Sequence, residues 1–461
     1  MKQLAEKPNI IIITCDQLTA FATGCYGNEQ VKTPNIDRLA NSGVRFVNGI
    51  SNAPVCMAAR SIILSGQHNR SCTGGISNVG YVGGKEGSYP MPEYPAPGRL
   101  HFPEQTLPEV LKENGYHTTA IGKWHIYTWP DVIGFDDYII PRTHHVNSTQ
   151  NFIENGGEEF VPEGWAIEYE TQRACNVIQN AKKDNPYFLY LNYSPPHPPI
   201  LDCPEEYLQM YNPDELNLRE NIDESGEGLA EHHVRVYNWD YRYYELQLPY
   251  TLQPIDLSLK KITSAYYGNV TWLDYHLGKV LDTVEESGQK DNTIIVFTAD
   301  HGDNLGSHGR NGKGLPYEEA LRIPMIYSYP EKLTSKVDGE CIASLLDIAP
   351  TLLSNSGIEI PSHMAGKDVL HENLNHTICE IIPGNFLLRT DRFTIQASKS
   401  KNEDNLICRA FFDNQNDPYQ MTNYNESEKF SNEINEGLST LEAFHKNVSI
   451  MPKPDYRFKK P

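Results

Sequence analysis

The run Asn9-Ile10-Ile11-Ile12-Ile13-Thr14 decides the fold. It is short, unbroken and rich in β-branched residues, so it reads as a central parallel strand buried on both faces. Asp16 and Gln17 stand just past its end, where open α/β sheets gather their ligands. Thr33-Pro34 then supplies an N-cap and a proline at the first helical position, Gly43 ends that helix, and Val44–Ile50 returns as a strand. Further on, Leu107–Asn114 is expected as a helix stopped by Gly115, Tyr116–Ile121 and Pro186–Tyr193 as strands, Ile262–Ser287 as a long amphipathic helix and Thr293–Thr298 as a second buried strand. This alternation predicts an α/β class: a doubly wound, mostly parallel sheet flanked by helices.

The texture changes after about residue 370. Phe386–Ala397 and Leu406–Asp413 are predicted as antiparallel strands, with a terminal helix near 432–446. The chain therefore divides into a catalytic unit over 1–370 and a smaller α+β unit over 371–461. Residues 67–103 are rich in Gly, Pro and Tyr and read as a long loop on the pocket wall; 200–258, within the variable stretch 126–258, reads as an acidic, aromatic insertion.

A net charge of −21 argues against nucleic acid as a partner, and it requires any site for an anion to carry its own positive cluster. Nine cysteines, an odd number without a CxxC pair, suggest reduced, intracellular usage. Met1-Lys2-Gln3-Leu4-Ala5-Glu6-Lys7-Pro8 has no apolar core of a signal peptide. No apolar run approaches the roughly 20 residues of a membrane span. These features predict a cytoplasmic protein with no membrane partner; oligomeric state is not readable.

Candidate chemistry gathers at few places. Cys56 follows Pro54 and opens the predicted helix Met57–Leu64, where unpaired N–H groups and the positive helix end suit an anion or a nucleophile. Arg60 lies one turn on. Asp16, Gln17, Asp300 and His301 sit at the ends of two predicted central strands. Together they would enclose one divalent cation, although each aspartate alone would as readily cap a following helix. Lys123 and His125, two apart on an extended segment, point to the same side.

Cys56-Met57-Ala58-Ala59-Arg60 resembles the Cys-x-(Pro/Ala)-x-Arg signature of type I sulfatases, with alanine at 58 where proline is commoner. The flanks Thr33-Pro34-Asn35-Ile36-Asp37-Arg38-Leu39-Ala40 and Leu64-Ser65-Gly66 resemble that family too. So do Gly115–His125, the segment Thr298–Gly309, and Asn311-Gly312-Lys313-Gly314. The resemblance covers essentially the whole chain and implies the alkaline-phosphatase-like sulfatase fold. It implies that Cys56 is oxidised by a formylglycine-generating enzyme to formylglycine, whose hydrated aldehyde is the nucleophile. Asp16, Gln17, Asp300 and His301, with residue 56, resemble the family's metal ligands; the ion there is most often Ca²⁺, with Mn²⁺ or Zn²⁺ compatible with an imidazole ligand.

In the same comparison Lys123 and Lys313 resemble the lysines that contact substrate sulfate. His197, within Pro195-Pro196-His197-Pro198-Pro199, resembles the histidine that protonates the leaving alcohol. His125 would contact the second hydroxyl of the hydrated aldehyde, Arg60 would hold the aldehyde side chain, and His308 is a further pocket candidate. The implied activity is hydrolysis of a sulfate monoester, on a small sulfated sugar such as a glycosaminoglycan- or mucin-derived saccharide. Aryl or choline sulfates are alternatives. Gln17 and His301 also keep open a phosphonate monoester or phosphodiester hydrolase of the same superfamily, and an unoxidised Cys56 would make the chain a binding protein.

Overall fold

A computed structural model of the chain describes residues 7–76, 95–142, 146–182, 185–223, 258–382, 384–400 and 405–452. The strands are β1 (Asn9–Asp16), β2 (Val44–Ile50), β3 (His117–Gly122), β4 (Asp137–Pro141), β5 (Phe152–Glu154), β6 (Tyr187–Pro196), β7 (Thr293–Ala299), β8 (Met325–Ser328), β9 (Lys336–Ser344), β10 (His376–Ile382), β11 (Asn385–Thr390), β12 (Phe393–Lys399) and β13 (Leu406–Asp413). Among the described residues, the first nine form one sheet in the order β5-β4-β3-β6-β1-β7-β8-β2-β9. β1 lies at its centre, hydrogen-bonded in parallel to β6 and β7, with Ile10–Ile13 wholly buried. β3, β4 and β9 also pair in parallel, while β5 and β8 run antiparallel. The mixed α/β class expected from Asn9–Thr14 is the one observed.

The helix Pro34–Ser42 forms as expected, but Thr33 does not cap it through its side chain. Its hydroxyl accepts from Gly24 N–H. The N–H groups of Asn35 and Ile36 are taken instead by Asp274, from the long helix Leu259–Glu286. A carboxylate from a distant element satisfies donors the local sequence leaves open. The stretch 67–103 is not all loop, since Asn69–Thr73 is a short helix. Its remainder at 77–94, and most of the acidic insertion at 224–257, lie outside the described residues.

In the C-terminal part, Phe386–Ala397 resolves into two strands, β11 and β12, and β10 precedes them to complete a four-stranded antiparallel sheet. Ser431–Asn447 is a helix laid over it, and Phe386, Leu388, Ile395, Phe411, Ile434, Leu441 and Phe444 form the core between them. Among the described residues no helix is long and apolar enough to cross a membrane.

Glu170, on the helix Ala166–Gln179, is buried, and burial pushes its carboxyl up to about 8 against the pull of Arg60. A raised carboxyl keeps its proton in the folded state while the unfolded chain ionises. The contribution of Glu170 to stability therefore falls as pH rises from about 4.5 to about 8 and is level outside that window. Glu170→Gln removes this dependence. The expected outcome in urea unfolding is near equality with wild type at pH 4.5 and an advantage to the variant on the order of a few kcal/mol at pH 8. A difference that stays flat with pH would contradict it.

Candidate active site

β1, β3, β6 and β7 run parallel, so their C-terminal ends deliver side chains to one edge of the sheet. β1 brings Asp16 and Gln17, β7 is followed by Asp300 and His301, and β3 by Lys123 and His125. The register pairs Asp16 with Pro196, so His197 begins just past the end of β6. The exits turn sharply. Gln17 and His125 hold φ of 65° and 53°, a left-handed conformation that non-glycine residues keep only where their surroundings impose it. At Gly122 a Cβ would stand 2.1 Å from the Asn192 carbonyl oxygen, so only glycine lets β3 pass there toward Lys123.

Cys56 enters at the first position of the helix Cys56–Ser65. Its Sγ lies 2.9 Å from Lys313 Nζ, 3.2 Å from His301 Nε2, 3.6 Å from Asp16 Oδ1 and 3.8 Å from Lys123 Nζ. Asp16, Cys56, Asp300 and His301 are all buried, with donor atoms within 4.8 Å of one another. Lys123 makes an ion pair with Asp16. His301 Nδ1–H donates to the Gly302 carbonyl at 2.9 Å, which leaves Nε2 with its lone pair toward the cluster. Two carboxylates and an imidazole so oriented fit one divalent cation. Neither aspartate caps a helix: Asp300 Oδ1 instead accepts from the backbone of Gln17 and His301.

Burial alone would raise Asp300, but His301, Arg60, Lys123 and Lys313 outweigh it and hold the carboxyl below the ordinary carboxylate range. Burial pushes the Cys56 thiol up, with Lys313 pulling the other way. Burial, reinforced by Lys313, pushes the Lys123 ammonium well down. His125 is lowered by burial and then by Lys123, Lys313 and Arg60. Lys123, Lys313 and Arg60 thus form a local group of cations inside a chain of net charge −21, set against Asp16 and Asp300.

Arg60 joins the site through Asp300 and the strand ends. It makes no hydrogen bond to Cys56; Nε pairs with Asp300 Oδ2 at 3.0 Å, and Nη1 donates to the Lys123 carbonyl at 2.8 Å and to Asn192 Oδ1 at 2.9 Å. One turn of helix carries its long side chain past Cys56 to the strand ends. The His308 ring stacks on Tyr317 at 3.8 Å, and its Nε2 accepts from Asn221 at 3.1 Å. His197 Nδ1–H donates to the Pro198 carbonyl at 2.5 Å. Asn192 and Asp303 are site residues that sequence reading missed. Asn192 shows no motif, whereas Asp303, three after Asp300, was visible only as part of a longer match.

Buried carboxylates, an oriented imidazole, two lysines and a cysteine at a helix N-terminus define an enzyme for anionic esters. The chain belongs to the sulfatase family: the Sulfatase family model matches residues 8–358, and the model for the C-terminal part of N-sulphoglucosamine sulphohydrolase matches 306–446. It is a hydrolase acting on sulfuric ester bonds. An arylsulfatase of Clostridium perfringens is 28% identical over 93% of this chain and 92% of its own length. An N-acetylglucosamine-6-O-sulfatase of Bacteroides thetaiotaomicron is 29% identical over 79% of this chain and 70% of its own. A protein solved with its substrate D-glucosamine-2-N,6-O-disulfate shares the fold at a TM-score of 0.76 and 24% identity, over 95% of this chain and 98% of that one.

Arg60 and Asp300 are both 0% exposed. Arg60→Met strands the carboxylate, at an expected cost of about 3–5 kcal/mol in urea unfolding of chelated protein. The double replacement Arg60→Met/Asp300→Leu is expected to recover much of that loss, because no uncompensated buried charge remains. Equal stability of the single variant and wild type would contradict this account.

Proposed function

We propose that the enzyme removes sulfate from a small sulfated saccharide, with Cys56 as the precursor of formylglycine. The observation that carries this reading is the convergence on Cys56 Sγ of Lys313, His301 and Asp16, within 3.6 Å. The likeness to an N-acetylglucosamine-6-O-sulfatase supports the sugar. So does the match over 306–446 to the N-sulphoglucosamine sulphohydrolase C-terminal part. Asp16, Asp300 and His301 would hold a divalent cation, Ca²⁺ in our reading, with Gln17 at its margin; bound there, it supplies Lewis-acid charge to the sulfate oxygens. Formylglycine at position 56, once hydrated, supplies an oxygen nucleophile and a second hydroxyl for releasing sulfate.

The remaining work falls to the chain's own groups. Lys313 neutralises the sulfate oxygens by charge in a buried site, where such charge is least screened, and Lys123, 3.8 Å from Cys56 Sγ, adds a hydrogen-bond donor beside it. Arg60 holds Asp300 and the Lys123 backbone in place. His197, with Nδ1–H committed to Pro198, keeps Nε2 as the nitrogen for proton transfer; protonated there, it hands a proton to the leaving alcohol oxygen. His125 sits beside the lysines as the contact for the departing hydroxyl proton.

Coexpression with a formylglycine-generating enzyme, followed by peptide mass at position 56 and sulfate release from sulfated glucosamines, tests the reading. Wild type is expected to turn over a sulfated sugar faster than aryl sulfate or an aryl phosphonate, and preference for the phosphonate overturns it. Cys56→Ala and His197→Ala are each expected to lose at least a hundredfold in kcat/KM. Chelation is expected to lower the melting temperature, with Ca²⁺ restoring it more fully than Mn²⁺ or Zn²⁺; an unchanged melt would remove the metal from the proposal.

A further inference from the structure

Lys313 reaches Cys56 from a loop, and loops do not by themselves hold a charge to a tenth of an ångström. What fixes it is a chain of hydrogen bonds that begins at Asp303. Asp303 Oδ1 accepts the N–H of Leu305 at 2.8 Å and of Gly312 at 3.0 Å, joining the two ends of the loop immediately before Lys313. Asn304 N–H and its side-chain amide both donate to the Gly312 carbonyl, at 2.9 and 2.8 Å, closing the same loop. Asp303 Oδ2 accepts from Gln17 Nε2 at 2.5 Å. Gln17 Oε1 in turn accepts from Lys313 Nζ at 3.0 Å.

The direction of this chain follows from donor chemistry. A carboxylate only accepts and an ammonium only donates. A primary amide placed between them has one satisfactory orientation: Nε2 toward Asp303, Oε1 toward Lys313. Reversed, it would set oxygen against oxygen and nitrogen against nitrogen, in a place where Gln17 and Asp303 are both buried. We infer that Asp303 is a positioning residue that sets the orientation of the Gln17 amide and, through it and through the closed 304–312 loop, places Lys313 against Cys56. The inference rests on the reading of Lys313 as the lysine that contacts substrate sulfate.

An exchange of groups tests it. In Asp303→Asn, Oδ1 keeps the two backbone N–H groups and Nδ2 replaces the acceptor facing Gln17. The Gln17 amide must then turn its NH₂ toward Lys313. In Gln17→Glu, two carboxylates face one another. In the double variant the amide at 303 donates to the carboxylate at 17, whose other oxygen accepts from Lys313; total charge returns, and so do the donor–acceptor matches between 303, 17 and 313. Two readouts apply: the melting temperature of chelated protein, and KM against kcat for a sulfated glucosamine after formylglycine formation. Each single variant is expected to melt lower and to raise KM at least tenfold, and the double variant to recover most of both. Losses that merely add would overturn the inference. If Asp303→Asn does not yield folded protein, the double variant still decides: recovery of the fold supports the inference and failure to recover it overturns it. Lys313→Met separates the two readings. An unchanged KM there would refute the role of Lys313 in sulfate binding, while the melting cycle would still report on Asp303.

Discussion

The ion pair between Arg60 and Asp300 is the constraint on which the site depends. It joins the helix that begins at Cys56 to the loop that ends β7, at a depth where neither charge meets water. Such a pair contributes little net stability, because desolvation offsets the Coulomb gain. What it supplies is position. Arg60 can satisfy Asp300, the Lys123 carbonyl and Asn192 together only if the helix and the ends of β3, β6 and β7 hold one relative arrangement.

Much of this arrangement was legible in the chain. Four isoleucines followed by Asp16 read as a central strand with a ligand at its end, because a strand buried on both faces admits nothing else. Thr293–Thr298 before Asp300 read the same way. The convergence of Lys123 and Lys313 on Cys56 followed motif spacing. Arg60 was found by its spacing from Cys56, but its partners Asp300, the Lys123 carbonyl and Asn192 were not, because a side chain of that length ends far from its own Cα. Asn192 and Asp303 escaped because hydrogen-bond partners distant in sequence leave no local pattern. The same holds for Asp274, whose capping of Pro34–Ser42 displaced the expected role of Thr33.

The C-terminal sheet shows the limit in another form. Thr390 to Phe393 turns β11 into β12 without a glycine or proline, so the two strands read as one run. Its attachment to the main sheet was equally invisible. Arg389 pairs with Glu318 at 2.8 Å, next to the Glu319 carbonyl that leaves no room for a side chain at Gly302. The small sheet thereby braces the segment that backs His301.

The placement of β1 between β6 and β7 has a consequence in time. β1 precedes both its neighbours in the chain and acquires the second only after residue 299 has been made, so one edge of Ile10–Ile13 waits unpaired until then. Pairings of such long sequence separation are slow and leave sticky intermediates. Position 56 shares this history. In the finished fold its sulfur is buried, so Cys56 is more open to another protein before the sheet closes than after.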